Sequence, residues 1–288
     1  MSLVNAPCAS DTDVMAKISE LARQESGLVI NSEKALMVKS RLKPRIKQLG
    51  LSSLEEYQEF VCSEKGREER GRFVSALTTN VSFFFREPHH FDSLVAMVNK
   101  KVLKGSSGKK IRIWSAACSN GQEPYSIAMS LLSNRKESWP NDMRVLATDI
   151  DTKVLSFAKS GLYTSKMLEE IDEAARKLYF VKAGPEHQNK EAIKDCVKNL
   201  TTFKKLNLLK NWPMSRRFDA IFCRNVVIYF DSSTREALWS KFANQLTEGG
   251  LFFLGHSERI PEPERYGFEN VGPTTYRRIS KHTTTVDI

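Results

Sequence analysis

From Ile111 onward the chain alternates short apolar runs with amphipathic ones, an order that few architectures accept. "IRIWSA", "RVLATD", "FDAIFCRN" and "LFFLGH" read as strands, and the intervening "EPYSIAMSLLSN", "TKVLSFAKSG" and "TREALWSKFANQL" read as helices. Strands that are apolar almost throughout need cover on both faces, which a parallel sheet between two helix layers provides. The alternation predicts a doubly wound α/β domain. One stretch breaks it: "KLYFVKAGPEHQNKEAIKDCVKNLTTF", Lys177 to Phe203, has short β-prone runs, a Gly184-Pro185 turn and period-two alternation from Ala192 to Lys198. It predicts a small antiparallel subdomain inserted at 177–203, with basic residues in excess of acidic ones.

The preceding residues are helical in pattern. "MAKISELARQESGL", "KALMVKSRLKPRIKQL" and "SLEEYQEFVCSEKG" carry apolar residues at helical spacing. Residues 1–90 therefore read as a helical domain with an interdomain segment, and 91–288 as the α/β domain. In the second segment Val38, Leu42, Ile46 and Leu49 form one apolar stripe, while Lys34, Lys39, Arg41, Lys43, Arg45 and Lys47 fill the other faces. No acidic residue occurs from Lys34 to Leu54. That face is either a solvated helix surface or a docking surface for something acidic. Charge is nearly balanced over the helical region as a whole, so the local concentration favours docking. Pro44 is expected to kink or interrupt this helix.

The length of 288 residues suits two domains, and a 41% hydrophobic share suits packed cores. No stretch approaches the ~18 apolar residues of a membrane span, and the N-terminus lacks a basic segment followed by a long apolar run. The five cysteines, Cys8, Cys62, Cys118, Cys196 and Cys223, are odd in number and form no CxxC pair, so neither a disulfide framework nor a zinc site is indicated. A soluble protein of the reducing cytoplasm, without membrane insertion, is expected. The net charge of +10 points to an acidic partner: nucleic acid, anionic lipid or an acidic protein surface.

In an open α/β sheet the ligand sits beyond the carboxyl ends of the strands, beside the first of them. This places Ala116 to Glu123, in "WSAACSNGQEPYS", over the ligand. Pro124 suits a first helical position, leaving Ser119, Asn120 and Gly121 as the turn that exposes the helix N-terminus. In "ATDIDTKVL" Asp151 is the natural N-cap, which frees Asp149 at the strand tip to accept hydrogen bonds from a ribose; the alternative is that Asp149 too serves only the turn. A phosphate cradle would want more glycines than Gly121 alone, and Glu123 would repel phosphate. A ligand with a cationic group near a ribose fits better, and S-adenosylmethionine matches that description. "GSSGKK", Gly105 to Lys110, lacks the spacing of a nucleoside triphosphate loop.

Together with "LTTNVSFFFREPHHF", "LATDID", "FDAIFCRNVVIYF" and "GGLFFLGHSE", this turn makes the chain closely similar to the CheR family of chemotaxis receptor glutamate methyltransferases, over nearly its whole length and in the same order. The resemblance implies a Rossmann-like class I methyltransferase domain behind the small helical one. It implies transfer of the S-adenosyl-L-methionine methyl group to specific glutamate carboxylates of transmembrane chemoreceptors, giving methyl esters for chemotactic adaptation and S-adenosyl-L-homocysteine as product. Asn80, Ser82 and Arg86 would close over the cofactor, with Arg86 on its methionine carboxylate. Glu123 would face the methionine end, Asp149 would hold the ribose, Asn207 and Leu208 would flank the adenine, and Asn225 with Val226 would line the reaction centre. Ser82 stands where threonine is more usual; the hydroxyl is kept. No general base is expected, because a glutamate with a pKa of about 4.3 is already ionised at neutral pH; no metal is expected, since His89 and His90 have no third ligand at a useful spacing, and no nucleic acid, since no cluster of stacking aromatics beside Arg or Lys occurs.

The resemblance also implies a cytoplasmic monomer recruited to membrane-bound receptors, whose acidic helical bundle meets the basic helix and whose C-terminal peptide could add to the inserted subdomain. Plain alternatives stand beside these roles. Phe83, Phe84 and Phe85 read as interdomain packing, His89 and His90 as helix-start residues, and Asn225 could simply end its strand. Tyr229 either positions the substrate or is structural. An RNA methyltransferase and a non-enzymatic cofactor-sensing or receptor-tethering module remain as rival readings.

Overall fold

The computed structural model describes residues 11–78, 80–103 and 110–280. Cys8 and residues 105–109 of "GSSGKK" lie outside the described residues. Contacts divide the chain into a helical unit, residues 11–78 with Tyr229–Asp231, and an α/β unit formed by Asn80–Ile228 and the chain from Ser232 onward.

The helical unit contains α1 (Asp11–Ser26), α2 (Ala35–Gln48), α3 (Leu54–Cys62) and α4 (Arg70–Leu77). Its core is Ile18, Val38, Leu42, Tyr57, Val61 and Phe73, all fully buried. Helix α3 starts at a capped end: the Ser53 hydroxyl accepts the Glu56 N–H at 3.1 Å, and the Glu56 carboxylate accepts the Ser52 N–H at 2.7 Å. Two expectations for α2 change. Pro44 lies inside one continuous helix; the turns on either side are anchored by buried Leu42 and by Arg45, which hold the path that the missing N–H would otherwise loosen. The basic faces, moreover, are only partly surface. Arg45 forms a two-pronged pair with Glu69 at 2.7 Å per contact, joined by the Tyr57 hydroxyl at 3.2 Å, all buried. Arg41 donates to the carbonyls of Leu77 and Thr78, and Lys39 pairs with Asp11.

The α/β unit begins with α5 (His89–Leu103) and continues through β1 (Ile111–Ala116), α6 (Gln122–Ser133), β2 (Met143–Asp149) and α7 (Thr152–Ser160). A small sheet follows, made of β3 (Leu162–Thr164), β4 (Phe180–Lys182) and β5 (Lys190–Ile193), with α8 (Glu173–Tyr179) before β4 and α9 (Asp195–Lys198) after β5. The chain then returns through β6 (Thr201–Lys205), β7 (Phe218–Phe222), α10 (Ser232–Gln245), β8 (Leu246–Phe253), β9 (Phe268–Gly272) and β10 (Thr275–Arg278). The main sheet has the order β6-β2-β1-β7-β8-β10-β9. Neighbours from β6 to β8 are parallel, and β10 runs antiparallel to both β8 and β9.

Both faces of this sheet are covered, as the apolar strands demand. Phe91 of α5 stacks on Phe222 of β7, while Trp114 of β1 packs against Phe242 of α10 and against Trp212. The strand order reverses at β1, which has β2 on one side and β7 on the other, so the carboxyl ends of β1 and β7 flank the switch point where such folds bind ligands.

The inserted sheet differs in extent from the 177–203 reading. Its order is β3-β5-β4, so it recruits Leu162–Thr164 from before that stretch. The alternation at Ala192 to Lys198 splits into the end of β5 and the short helix α9, and Thr201–Phe203 belongs to β6 on the edge of the main sheet. Alternation over so few residues cannot distinguish a strand end from one helical turn.

Candidate functional site

Beyond β1 the backbone makes a strained turn, with Ala117, Ser119 and Gly121 at φ of 62°, 49° and 85°. Gly121 is doubly constrained: a Cβ there would stand 2.7 Å from the Ala158 Cβ and 3.0 Å from the Tyr163 hydroxyl. It is the N-cap residue of α6, and no side chain caps that end. The first N–H groups of α6 therefore have no intrahelical partner. Pro124 sits at the third helical position rather than the first, still within the turn where a missing N–H costs no helical bond.

Asp149 ends β2 beside this turn and is buried. Its Oδ2 accepts the Ser119 N–H at 2.8 Å and its Oδ1 accepts the Asp151 N–H at 2.9 Å. Asp151 caps α7 through the Lys153 N–H and receives the Asn80 amide at 3.2 Å; the Ser119 hydroxyl in turn donates to the Asn80 carbonyl. The bonds join Asn80, Ser119, Asp149 and Asp151 in one ring. Burial pushes the Asp149 carboxyl up to about 6, against its backbone N–H bonds. A carboxylate accepts through about four lone-pair directions, so Asp149, drawn on by the N–H groups of Ser119, Asp151 and Ile150, keeps acceptor capacity beyond them.

A second cluster lies around Arg224, which the sequence reading missed. Its side chain is 3% exposed; Nη1 contacts Glu123 Oε2 at 3.2 Å, and Nη2 donates to the Arg86 carbonyl and lies 3.4 Å from Glu87 Oε1. Glu123 also accepts the Ser115 hydroxyl at 2.7 Å. Burial raises the Glu123 pKa, opposed by Arg224 and Ser115. One signal was available: Arg224 directly follows the wholly buried strand "FDAIF" and Cys223, a place where a charged side chain needs a partner.

Among the described residues, the buried side-chain atoms lacking a partner are Arg224 Nε, a donor, Gln122 Oε1 and Glu87 Oε2, both acceptors, and His90 Nδ1. A zwitterionic group, with an ammonium and a carboxylate, supplies the complement of donor and acceptor alike. A phosphate supplies acceptors only and would face Glu123. The methionine end of S-adenosylmethionine thus fits the donor set present. Glu87, His89 and His90 bring possible ligand atoms within 4.8 Å of one another. The Arg224 guanidinium on Glu87 and the positive N-terminus of α5, which begins at His89, both oppose a cation there.

The other predicted residues separate. Arg86 lies over the Phe83 ring at 5.3 Å, and its Nε is 3.9 Å from Glu87. Ser82 is half-buried, and Ala116 is buried at the end of β1. The three phenylalanines diverge: Phe83 is partly exposed, Phe84 packs edge-on to Tyr163 and Phe180, and Phe85 meets Phe91. Those partners of Phe84 and Phe85 lie inside the α/β unit, in place of the interdomain packing expected for them. Asn207 and Leu208 follow β6, whose next residue Leu206 bonds to the Asp149 carbonyl; the Asn207 side chain accepts the Leu209 N–H. Asn225 adopts a φ of 59°, and its N–H and that of Val226 both go to Glu258, a second residue the sequence reading passed over. Tyr229 groups with the helical unit, where its carbonyl accepts the Val29 N–H at 3.0 Å.

Two family models match the chain: "CheR methyltransferase, all-alpha domain" over residues 13–78 and "CheR methyltransferase, SAM binding domain" over residues 80–277. A probable chemotaxis protein methyltransferase of Rhizobium etli is 45% identical over 258 residues, covering 89% of this chain and 96% of that protein. The chemotaxis protein methyltransferase of Escherichia coli is 39% identical over 261 residues, covering 90% and 88%. That of Borreliella burgdorferi is 34% identical over 272 residues, covering 92% and 94%.

Proposed function

Given that the chain belongs to the CheR methyltransferase family and carries its S-adenosylmethionine-binding domain, we propose that it methylates specific glutamate side chains of transmembrane chemoreceptors, forming methyl esters. The observation that carries the reading is the switch-point turn, where Asp149 keeps acceptor capacity beside the open end of α6, and unpartnered Arg224 Nε and Gln122 Oε1 call for a zwitterion.

When bound, S-adenosylmethionine supplies an electrophilic methyl group on a sulfonium. Asp149 would accept hydrogen bonds from the ribose hydroxyls, and Glu123, held by Ser115 and Arg224, would face the methionine end. Asn80 and Ser82 would close over the cofactor with Arg86 pairing with its methionine carboxylate, Ala116 would line the site, and Asn207 with Leu208 would flank the adenine. The acceptor glutamate is ionised at neutral pH, so the chain removes no proton from it. Its contribution is alignment, which can supply on the order of 7 to 11 kcal/mol when reacting atoms are well placed. Asn225 and Val226 perform that alignment at the tip of β7, with Tyr229 positioning substrate.

Docking to the receptor uses the exposed lysines Lys43 and Lys47 of α2, opposite an acidic helical surface. The open edges of the small sheet at β3 and β4 would take the receptor's C-terminal peptide as an added strand. The protein would work as a monomer in the cytoplasm. Among the described residues no helix is long and apolar enough to cross a membrane.

The test is transfer of labelled methyl from S-adenosylmethionine to chemoreceptor cytoplasmic fragments, with RNA as a parallel acceptor and Asp149→Ala as control. Base-labile label on the receptor, absent with the variant, is expected. Base-stable label on RNA alone, or cofactor binding without transfer, would overturn the reading.

A further inference from the structure

We infer that Glu258 is a positioning residue for methyl transfer: its carboxylate holds the Asn225–Ile228 turn in the shape the reaction centre requires, without itself touching cofactor or substrate. The inference rests on the methyltransferase reading above.

Glu258 is 3% exposed and lies just beyond β8, in "GHSE". One of its oxygens accepts the N–H groups of Asn225 at 2.8 Å and Gly255 at 2.7 Å. The other accepts those of Val226 at 2.9 Å and Ile228 at 3.3 Å. All four partners are backbone donors, so the arrangement suits a group with acceptors only, which is the ionised carboxylate. Burial works against that charge and the N–H groups work for it.

The turn held in this way is not one the backbone takes freely. Asn225 has a φ of 59°, in the left-handed region that non-glycine residues seldom enter and that asparagine tolerates best among them. Gly255 approaches so closely that a Cβ would stand 2.8 Å from the Asn225 nitrogen and 2.4 Å from its side-chain amide. Strain of this kind persists only where the surroundings over-determine it. A buried carboxylate drawing four N–H groups to one point does so, from a residue about thirty positions along the chain. Asn225 and Val226 are the residues assigned to the reaction centre, and they lie at the tip of β7 on the ligand side of the switch point. Glu258 would therefore act on the chemical step through them.

Glu258→Gln tests this with almost no change of volume. Its amide places N–H donors against two of the four backbone N–H groups, so the turn should relax. Expected is a fall in kcat of roughly 10–100-fold, as for a misplaced aligning group. Calorimetric S-adenosylhomocysteine affinity should stay within about threefold, because the ribose and adenine contacts lie elsewhere. Glu258→Asp, which keeps an acceptor-only group, should recover part of kcat. Backbone amide resonances of Asn225, Val226, Ile228 and Gly255 should be exchange-protected in the wild type and shift in the Gln variant. A Gln variant with wild-type kcat would overturn the proposal, as would parallel losses of thermal stability, cofactor affinity and kcat in both variants, which mark a merely structural role. Should neither variant fold, freely exchanging wild-type amides would still overturn it and protected ones would support it. Failure of the wild-type protein to methylate receptor fragments would instead bring down the methyltransferase reading, and is told apart by the wild type alone.

Discussion

Lowering the pH should weaken cofactor binding, and the contribution of Asp149 can be isolated by substitution. Its carboxyl is buried and raised to about 6, above the ordinary carboxylate value of 3.8. Its two oxygens already accept N–H bonds from Ser119 and Asp151, so ribose hydroxyls must use the acceptor directions that remain. Protonation removes acceptor capacity from that small set. If only the ionised form binds, the apparent Kd scales as one plus ten raised to the difference between pKa and pH. With a pKa of about 6 the factor is about 1.1 at pH 7 and about 11 at pH 5, a loss near tenfold or about 1.4 kcal/mol. The sign follows from the raised pKa: binding is intact above it and declines as pH falls through it. Calorimetric titration with S-adenosylhomocysteine at pH 7, 6 and 5 reads this directly and should register proton release where Asp149 titrates, because binding selects the ionised form. Asp149→Asn should bind weakly at every pH and lose the slope. A flat profile in the wild type, or the same slope in the variant, would refute the argument.

Two further outcomes concern the frame around the site. Gly121→Ala must place a Cβ 2.7 Å from the Ala158 Cβ at a φ of 85°, so urea denaturation should find it destabilised by about 2–5 kcal/mol, with S-adenosylhomocysteine affinity also reduced. In the helical unit, Glu69→Ala strands the buried Arg45 guanidinium and removes the acceptor of the Tyr57 hydroxyl, so that unit should lose about 3–5 kcal/mol; an unchanged melting profile would show that the pair contributes no stability.

Much of this architecture was legible because it is written locally. The β1, β2, β7 and β8 runs are apolar through most of their length, and "ATDID" places the helix cap Asp151 two residues after the strand-end carboxylate Asp149. What escaped is non-local. Arg224 meets Glu123 from 101 positions away, and nothing around "CRN" names its partner. Glu258 reads as one more surface acid until the four N–H groups aimed at it are seen together. The run Leu162–Thr164 is too short to carry a strand signal; only its pairing with β5 makes it one. Pro44 does not interrupt its helix, because tertiary anchoring on either side outweighs the local rule against it.

The guanidinium groups of α2 bear on how this enzyme could read a partner. Arg45 is a buried strut against Glu69, and Arg41 ties down the carbonyls at the end of α4. The Arg45 fork, buried and engaged on Glu69, cannot also grip a carboxylate outside the unit. The exposed cations left on the helix, Lys43 and Lys47, are flexible point charges without fixed geometry. On the function proposed above, attraction through them would act as a diffuse field: it would draw an acidic surface near yet tolerate sliding along it, without selecting any one carboxylate.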